Sequence, residues 1–252
     1  MSDVKQLKQQ ATKLKLHGLL AHWGEVDEAQ YAGLAQLFEW EFSERKQRSL
    51  ERRLTSAKLG RFKSLREFDW QWPSHIDQQA IHRLMQLDFL TEASNVILMG
   101  SNGVGKSTLA QNLGYQAVMQ GHTVLFTSAA NMLNDLAAQD GDNALRRRLK
   151  HYAKPTLLVI DEVGYLAYSN RHADLLFEII NRRYEQCSTV VTTNRPFGEW
   201  SEIFPNAACV VSLIDRLVHH SEIILIEGDS YRMKEAQERA DMRRPPKRGK
   251  RP

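Results

Sequence analysis

The chain has 252 residues, of which 42% are hydrophobic and 25% charged, and its formal net charge is +4. With 14 glycines, 7 prolines and 2 cysteines, the composition excludes a collagen-like chain, low-complexity disorder and a disulfide-stapled scaffold, and it allows a sizeable buried core. No apolar run reaches the roughly 18 residues of a membrane-spanning helix, the polar N-terminus lacks the apolar core of a secretory signal, and Cys187 and Cys209 lie far apart. We therefore expect a cytoplasmic protein with reduced thiols and no membrane contact.

The positive charge is concentrated in two segments of the chain. Residues 42–66 hold nine Lys and Arg against two Glu, and residues 232–252 hold nine against three acidic residues. These local charges of +7 and +6 leave −9 for the remainder. Two basic segments on a mildly acidic body suggest contact with a polyanion such as nucleic acid. A solvated helix face and a disordered basic tail explain the same pattern about equally well.

Residues 1–66 are predicted to form a small, basic helical domain. They contain no proline, and apolar residues recur at three- and four-residue steps between Leu34 and Ala57. This spacing indicates one long amphipathic helix over about 34–58, with its basic residues opposite the apolar face. Because glycine interrupts helices, shorter helices are expected to be separated at Gly18, Gly24 and Gly33. A link rich in aromatic residues follows over 60–76.

From about residue 77 the pattern changes to short apolar runs that alternate with helical stretches. The runs are NVILM, TVLFT, TLLVI, TVVT and IILI, which begin at Asn95, Thr123, Thr156, Thr189 and Ile223. The helical stretches lie near 106–119, 129–138, 172–186 and 207–219. Continuous apolar strands joined by helices are typical of a parallel sheet covered on both faces. Residues 67–232 are therefore predicted to form a three-layer α/β domain with a five-stranded parallel sheet, and residues 233–252 a helical extension with a disordered basic tail.

A phosphate-binding loop follows the first of these strands. The stretch GSNGVGKST matches the pattern GxxxxGK[ST], with a strand before it and a helix after it. Glycines let successive backbone N–H groups surround phosphate oxygens, and the helix N-terminus adds a favourable dipole. The lysine of this pattern reaches the β- and γ-phosphates, and the next hydroxyl binds Mg²⁺. The sequence therefore predicts an ATP and Mg²⁺ site at Gly100, Ser101, Asn102, Gly103, Val104, Gly105, Lys106, Ser107 and Thr108.

Two carboxylates, Asp161 and Glu162, end the apolar run that begins at Thr156. At the tip of a buried strand they would face the ligand crevice of a parallel sheet. We expect Asp161 to hold Mg²⁺ through water and Glu162 to act as general base on the attacking water. An apolar run followed by two acids is weak evidence alone. The interpretation becomes stronger because the run follows a phosphate-binding loop, with one predicted strand, TVLFT, between the two motifs.

Several segments around these motifs resemble one protein family. DEVGYLAYS at 161–169, LLFEIINRRY at 175–184, TNRPFGEWSEIF at 193–204, DRLVHH at 215–220 and GDSYR at 228–232 are similar to the IstB-type ATP-binding helpers of bacterial insertion sequences. That family belongs to the AAA+ superfamily and is similar to the helicase loader DnaC. The likeness covers nearly the whole chain. Family members commonly have proline where Ala167 stands and GKTHLA where this chain has GKSTLA, and neither difference removes a phosphate or metal ligand.

The resemblance implies roles for two further polar residues. In AAA+ proteins the strand beside the Asp-Glu strand ends in a residue that orients the water, which gives that role to Asn194; a Thr/Asn turn is the alternative. Arg216 would be an arginine finger that acts in trans on the γ-phosphate held by a neighbouring subunit. The alternative for Arg216 is a surface pair with Asp215.

Three aromatic residues and the C-terminal part of the chain each allow more than one interpretation. The aromatic residues are Phe68, Trp70 and Trp72. They stand where AAA+ proteins pack the adenine, but we favour the alternative that they pack in the core. Few residues follow the fifth predicted strand, so we expect no helical lid domain, and Arg232 is the nearest candidate for the arginine that the lid supplies in AAA+ proteins. His219-His220 has no acidic or cysteine neighbour at ligand spacing, which argues against a metal there.

The resemblance implies a bacterial AAA+ ATPase that assists transposition. It would bind duplex DNA largely without sequence preference, form an ATP-dependent homo-oligomer and direct or activate the transposase of the same insertion sequence. A DnaC-like helicase loader is one alternative, and a non-catalytic ATP-dependent DNA-coating adaptor is another. The run RRRLK at 146–150 is a second DNA contact or a solvated loop. Because phosphate contacts need Lys and Arg, DNA contacts are expected at Arg45, Arg48, Arg52, Arg53, Lys58 and Arg61.

Overall fold

The computed structural model describes residues 2–165, 168–204 and 207–243. The chain divides into two compact units, Met1–Thr55 and Ser56–Pro252. The division falls before residue 66, where the sequence predicts the end of the helical domain. The residues that follow Thr55 make hydrogen bonds within the second unit. There the amide of Gln111 donates to the Leu59 carbonyl at 2.7 Å, and the amide of Asn112 donates to the Lys63 carbonyl at 2.9 Å.

The first unit is helical, as predicted. Its helices are α1 Ser2–Leu14, α2 His17–Ala21 and α3 Tyr31–Ala57, with 3₁₀ turns at Trp23–Glu25 and Glu28–Gln30. Its buried core consists of Leu7, Ala11, Leu14, Trp23 and Phe38.

The prediction that glycines separate these helices is wrong. Gly18 lies within α2, Gly24 within a 3₁₀ turn and Gly33 within α3. The first break follows α1 at Lys15, whose φ is +60°. A glycine inside a helix costs only about 1 kcal/mol relative to alanine, which packing of the apolar face readily offsets.

The second unit contains a six-stranded sheet. The strands are β1 His75–Ile76, β2 Asn95–Gly100, β3 Val124–Ser128, β4 Leu157–Val163, β5 Ser188–Thr193 and β6 Ser221–Glu227. The helices are α4 Gln78–Leu84, α5 Asp88–Thr91, α6 Lys106–Met119, α7 Ala129–Ala137, α8 Asp142–Ala153, α9 Asn170–Arg183, α10 Trp200–Ile203, α11 Ala207–His219 and α12 Tyr231–Arg243. Two 3₁₀ turns lie at Leu65–Glu67 and Phe197–Glu199.

The strand order is β1-β6-β2-β5-β4-β3, and all neighbours are parallel except β1, which pairs antiparallel with β6. The five predicted parallel strands are confirmed. The sheet has one strand more than predicted, because the two residues of β1 are too few to produce a periodic pattern. Helix α8 contains the run at 146–150, for which the sequence suggests a DNA contact or a loop, and its Arg148 pairs with Asp135 of α7.

Helices cover both faces of the sheet. On one face Leu158 and Ile160 of β4 join a core cluster with residues of α7, α9 and α11. On the other face α6 lies so close that a Cβ on Gly114 would be 3.9 Å from Val159 of β4. Alternate residues of one strand therefore face different helical layers, which confirms the three-layer α/β arrangement. In the part of the chain that the structure describes, every helix is too short or too polar to cross a membrane.

A buried arginine joins the starts of β4 and β5. Arg183, the last residue of α9, is only 1% exposed, and burial lowers its pKa to about 10, so the guanidinium stays charged at neutral pH. It donates to the Thr189 hydroxyl and to the backbone carbonyls of Tyr152, Ala153, Pro155, Thr156 and Ser188. This set of acceptors fixes the amino ends of the two strands whose carboxyl ends carry the predicted site.

Candidate nucleotide-binding site

The phosphate-binding loop connects β2 to α6, as the sequence predicts. Gly103 and Gly105 have φ angles of +82° and +102°, a region that residues with a Cβ rarely adopt. A Cβ on Gly105 would be 2.6 Å from the ring of Phe68, and one on Gly103 would collide with the hydroxyl of Ser230. Both positions therefore need glycine for conformation and for space, and the loop leads directly into the N-terminus of α6.

Lys106 is the first residue of α6, and its side chain is buried. Its ammonium donates to the carbonyls of Gly100 at 2.8 Å and Ser101 at 2.7 Å. Burial lowers the pKa of Lys106, and the charge of Arg232 lowers it further, whereas Asp161 and Glu162 raise it. A partly desolvated cation whose hydrogen-bond acceptors are neutral carbonyls is favourably placed to receive phosphate oxygens.

Asp161 lies next to the loop at the end of β4 and is buried. Its Oδ1 accepts hydrogen bonds from the hydroxyls of Ser107 at 2.9 Å and of Thr192. The structure thus brings together the two predicted metal-binding residues, Ser107 and Asp161. A hydroxyl and a carboxylate are oxygen donors of the kind that Mg²⁺ prefers.

Glu162 follows Asp161 with an unusual backbone. Its φ is +61°, and the pairing of β4 with β5 shifts register between Ile160 and Val163, so the chain forms a bulge at this residue. The backbone N–H of Glu162 donates to the Thr192 hydroxyl at 2.9 Å. Its exposed side chain lines the same cavity as the loop. For a residue with a side chain, the left-handed region costs roughly 1–2 kcal/mol.

Asn194, one residue after β5, also lines this cavity. Within the described part of the chain its buried Oδ1 has no hydrogen-bond partner. A buried polar atom without a partner costs about 1–3 kcal/mol, and a bound ligand or water would remove that cost. An amide oxygen without a partner inside the cavity is expected of a residue whose partner is a bound nucleotide or water.

The cavity has a volume of about 510 Å³. Two of the three linker aromatics, Phe68 and Trp72, line it. Trp70 instead packs against Phe68 and His82, with ring centroids 4.7 and 5.3 Å away. Adenine contact thus stays a prediction for Phe68 and Trp72, and Trp70 takes part in ring packing.

Helix α12 closes one side of the cavity. The N–H of Tyr231 donates to the Gly103 carbonyl of the loop at 3.0 Å, and Tyr231 and Arg232 line the cavity. The Lys234 ammonium lies 3.0 Å from Asp69 and 4.4 Å from the ring centre of Trp72. Part of the basic C-terminal segment thus belongs to the nucleotide site, and the predicted tail at 244–252 lies outside the described residues.

Arg216 lies away from the cavity that collects the other predicted catalytic residues. It extends from α11 toward α9, where its guanidinium donates to the Asn181 side chain and sits 5.0 Å from the ring centre of Phe177. Its partner is thus on α9, in contrast to the surface pair with Asp215 that the sequence allows. Arg216 can therefore act on a nucleotide only when a second subunit holds that nucleotide.

The six predicted DNA contacts do not form one uniform surface. Arg45 is exposed, pairs with Glu41 and also donates to the Leu14 carbonyl at the end of α1. Arg48 pairs with Glu44. Arg53 donates to the Ser49 hydroxyl, Arg52 and Lys58 are exposed, and Arg61 lines the nucleotide cavity.

A carboxylate approaches the histidine pair at 219–220, contrary to the sequence argument. Potential ligand atoms of Glu185, His219 and His220 all lie within 4.8 Å of one another. The His219 ring also lies 2.8 Å from the Tyr184 hydroxyl. Sequence spacing missed Glu185 because it follows α9, whereas the histidines end α11.

The model of the family described as IstB-like ATP binding protein matches residues 9–239. The chain belongs to this family. An insertion sequence IS21 putative ATP-binding protein of Pseudomonas aeruginosa is 39% identical over 80% of this chain and 76% of its own length. An insertion sequence IS232 putative ATP-binding protein of Bacillus thuringiensis subsp. berliner is 34% identical over 93% of this chain and 96% of its own length.

Solved structures show the fold of this IstB-like protein. DnaI aligns with a TM-score of 0.55 and 19% identity over 65% of this chain and 90% of its own. AMPPCP-bound DnaA from Aquifex aeolicus aligns with a TM-score of 0.51 and 20% identity over 70% of this chain and 56% of its own. The predicted AAA+ fold is confirmed, and so is the resemblance to the IstB family.

Replacing Gly105 by alanine should weaken nucleotide binding, because the new Cβ meets Phe68 and the backbone is strained. Gly121 is a matched control, since its φ is +100° and a Cβ added there would have no atom within 4 Å. Gly121→Ala should lower the free energy of unfolding by about 1–2 kcal/mol with unchanged affinity. Gly105→Ala should weaken binding of a fluorescent ATP analogue by about tenfold or more. Equal affinities of the two variants would show that the loop tolerates a side chain there.

Proposed function

We propose that this IstB-like protein hydrolyses ATP with Mg²⁺, assembles on duplex DNA and assists the transposase of an insertion sequence. The observation that carries the proposal is the convergence of the phosphate-binding loop, Asp161, Glu162 and Asn194 on one cavity. These residues lie at the carboxyl ends of β2, β4 and β5, where open α/β sheets bind ligands. The relatives are named as ATP-binding proteins of insertion sequences, which supports a role beside a transposase.

Each residue around the cavity has a separate role in the proposed phosphoryl transfer. Lys106 and the loop N–H groups would hold the phosphates, and Ser107 and Asp161 would hold Mg²⁺. When bound, the ion neutralises charge that develops on phosphate oxygens. Glu162 would accept the proton of the attacking water, and Asn194 would orient that water.

The backbone of Glu162 favours hydrolysis over the non-catalytic adaptor. A protein that only binds ATP does not need a carboxylate placed on a bulge with φ of +61°. Strain of this kind is kept where the position of the side chain matters. The structure therefore supports a water-activating role for Glu162 more than ligand-controlled assembly alone.

Glu162→Gln should stop ATP turnover and leave ATP binding intact. The amide keeps the size of the side chain but is a poor base, so the turnover number should fall by about 10²–10⁴-fold. Steady-state phosphate release and the affinity for a fluorescent ATP analogue measure the two effects. Glu178→Gln, on the surface of α9 beside Arg182, is the control and should behave as wild type. Normal turnover of Glu162→Gln would remove Glu162 from this role.

Hydrolysis is proposed to require assembly, with Arg216 acting in trans. A cation at this position neutralises charge on the nucleotide of the adjacent subunit and is worth several orders of magnitude in rate. In one subunit Arg216 rests on Phe177 and Asn181 of α9. This contact keeps the guanidinium at a defined place on the surface.

Mixing two inactive variants tests this role. Arg216→Ala should lower turnover by about 10³-fold or more, and Lys106→Ala should not bind ATP. A mixture should regain part of the activity, because the Lys106→Ala subunit still offers Arg216 to a neighbour. Arg182→Ala on α9 is the control and should remain active. If no mixing ratio restores phosphate release although both variants are folded, Arg216 does not act in trans.

The DNA part of the proposal rests on the exposed basic residues of α3 and of the residues just after it. Arg52 and Lys58 are exposed, and phosphate contacts give salt-dependent binding that does not depend on sequence. A helicase loader would prefer single-stranded DNA. The substrate preference therefore separates the two functions.

Replacing Arg52 and Lys58 by glutamine should weaken ATP-dependent binding to duplex DNA. The slope of log affinity against log salt concentration should become shallower by about 0.9 per lost contact. The control changes Arg171 and Arg182 of α9 to glutamine, which removes the same charge from another surface. Fluorescence anisotropy with duplex and single strands of equal length, with ATP, ADP or no nucleotide, provides the measurement. An equal loss in both double variants would contradict a localised contact. Binding to single strands alone would favour the helicase loader.

A further inference from the structure

Thr192 is a buried residue of β5 that lies outside every sequence motif of the site. Its side chain is 0% exposed, and its hydroxyl makes two hydrogen bonds at the nucleotide site. It donates to Asp161 Oδ1 and accepts from the backbone N–H of Glu162 at 2.9 Å. One hydroxyl therefore contacts both acidic residues to which the proposed function gives chemistry.

These bonds belong to a longer chain of contacts. Ser107 donates to the same oxygen of Asp161 at 2.9 Å. A continuous path thus runs from the first turn of α6 through Asp161 and Thr192 to the backbone of Glu162. Each hydrogen bond in this path has one direction. The hydroxyls of Ser107 and Thr192 donate to the Asp161 carboxylate, and the backbone N–H of Glu162 donates to Thr192.

The position of Thr192 matches the irregular part of the sheet. β4 and β5 pair regularly up to Ile160 and Val191, and the register shifts before Val163. Inside that shift the N–H of Glu162 has the Thr192 hydroxyl as its acceptor in place of a ladder carbonyl. The left-handed φ of Glu162 is thus stabilised by a side chain of the neighbouring strand.

We propose that Thr192 is a positioning residue for ATP hydrolysis: its hydroxyl holds the Glu162 bulge and links it to Asp161 and Ser107. The inference rests on the proposed function, because it assigns the orientation of the general base to a third residue. Removing the hydroxyl frees the N–H of Glu162 and lets the carboxylate leave its place over the cavity. Nucleotide binding depends on the loop and Lys106, which Thr192 does not touch through these bonds.

Three variants separate this role from a general contribution to the core. Thr192→Val keeps the shape and removes both hydrogen bonds, and Thr192→Ser keeps the hydroxyl. Thr189→Val is the control, because Thr189 lies earlier on β5, is 1% exposed and accepts a hydrogen bond from Arg183 at 3.0 Å. It removes a buried hydroxyl from the far end of the same strand.

The experiment measures ATP turnover, affinity for a fluorescent ATP analogue and thermal unfolding for each variant. We expect Thr192→Val to lose about 10–100-fold in turnover number with affinity within about threefold of wild type, by analogy with supporting residues of other sites. Thr192→Ser should recover most of the turnover. Thr189→Val should lower the unfolding temperature without this split between turnover and affinity.

Each outcome has one meaning. Turnover of folded Thr192→Val equal to wild type overturns the inference while the proposed hydrolysis stands. A parallel loss in Thr189→Val, or no recovery in Thr192→Ser, reduces Thr192 to a core residue and also overturns it. Absence of turnover in the wild type overturns the proposed function and this inference together. Should Thr192→Val fail to fold, Thr192→Ala is measured in its place, with the same results expected.

Discussion

The buried guanidinium of Arg183 joins the amino ends of β4 and β5, the two strands whose carboxyl ends lead into the nucleotide site. An unpaired charge in a protein interior is very costly, and this one is tolerated because six oxygen atoms of the surrounding chain accept its hydrogen bonds. Those acceptors lie at the end of α8, before β4 and at the start of β5. The amino ends of β4 and β5 are therefore held in one register, and the irregular pairing is confined to their carboxyl ends, where Asp161 and Glu162 lie.

The site combines a loop set by helix geometry with a strained residue, Glu162. The loop and Lys106 take their positions from the backbone at the start of α6. Glu162, by contrast, depends on a side chain of the neighbouring strand for its backbone conformation. Nucleotide binding and the proposed hydrolysis consequently rest on different contacts, so we expect substitutions to affect them separately.

Much of the fold and the loop could be predicted because their residues are neighbours in sequence. The five parallel strands follow from local apolar runs, and the phosphate-binding loop from an eight-residue pattern. Strand β1 was missed because two residues are too few to produce a periodic pattern. Thr192 and Glu185 were missed because their importance comes from contacts between distant segments. Thr192 did carry a usable pattern, since it lies two residues before Asn194 and alternate residues of a strand share a face. Arg61 carries a position that local charge did not indicate, because tertiary packing places it at the nucleotide cavity, while its predicted DNA contact stays a prediction.

The seating of α12 on the phosphate-binding loop has a consequence for biosynthesis. The loop, β2 and α6 leave the ribosome long before Tyr231, which contacts Gly103 in the folded chain. During translation the growing chain therefore carries a phosphate-binding loop without one wall of its cavity. The complete wall of the ATP cavity therefore forms only after α12 has been synthesised and has packed on the loop.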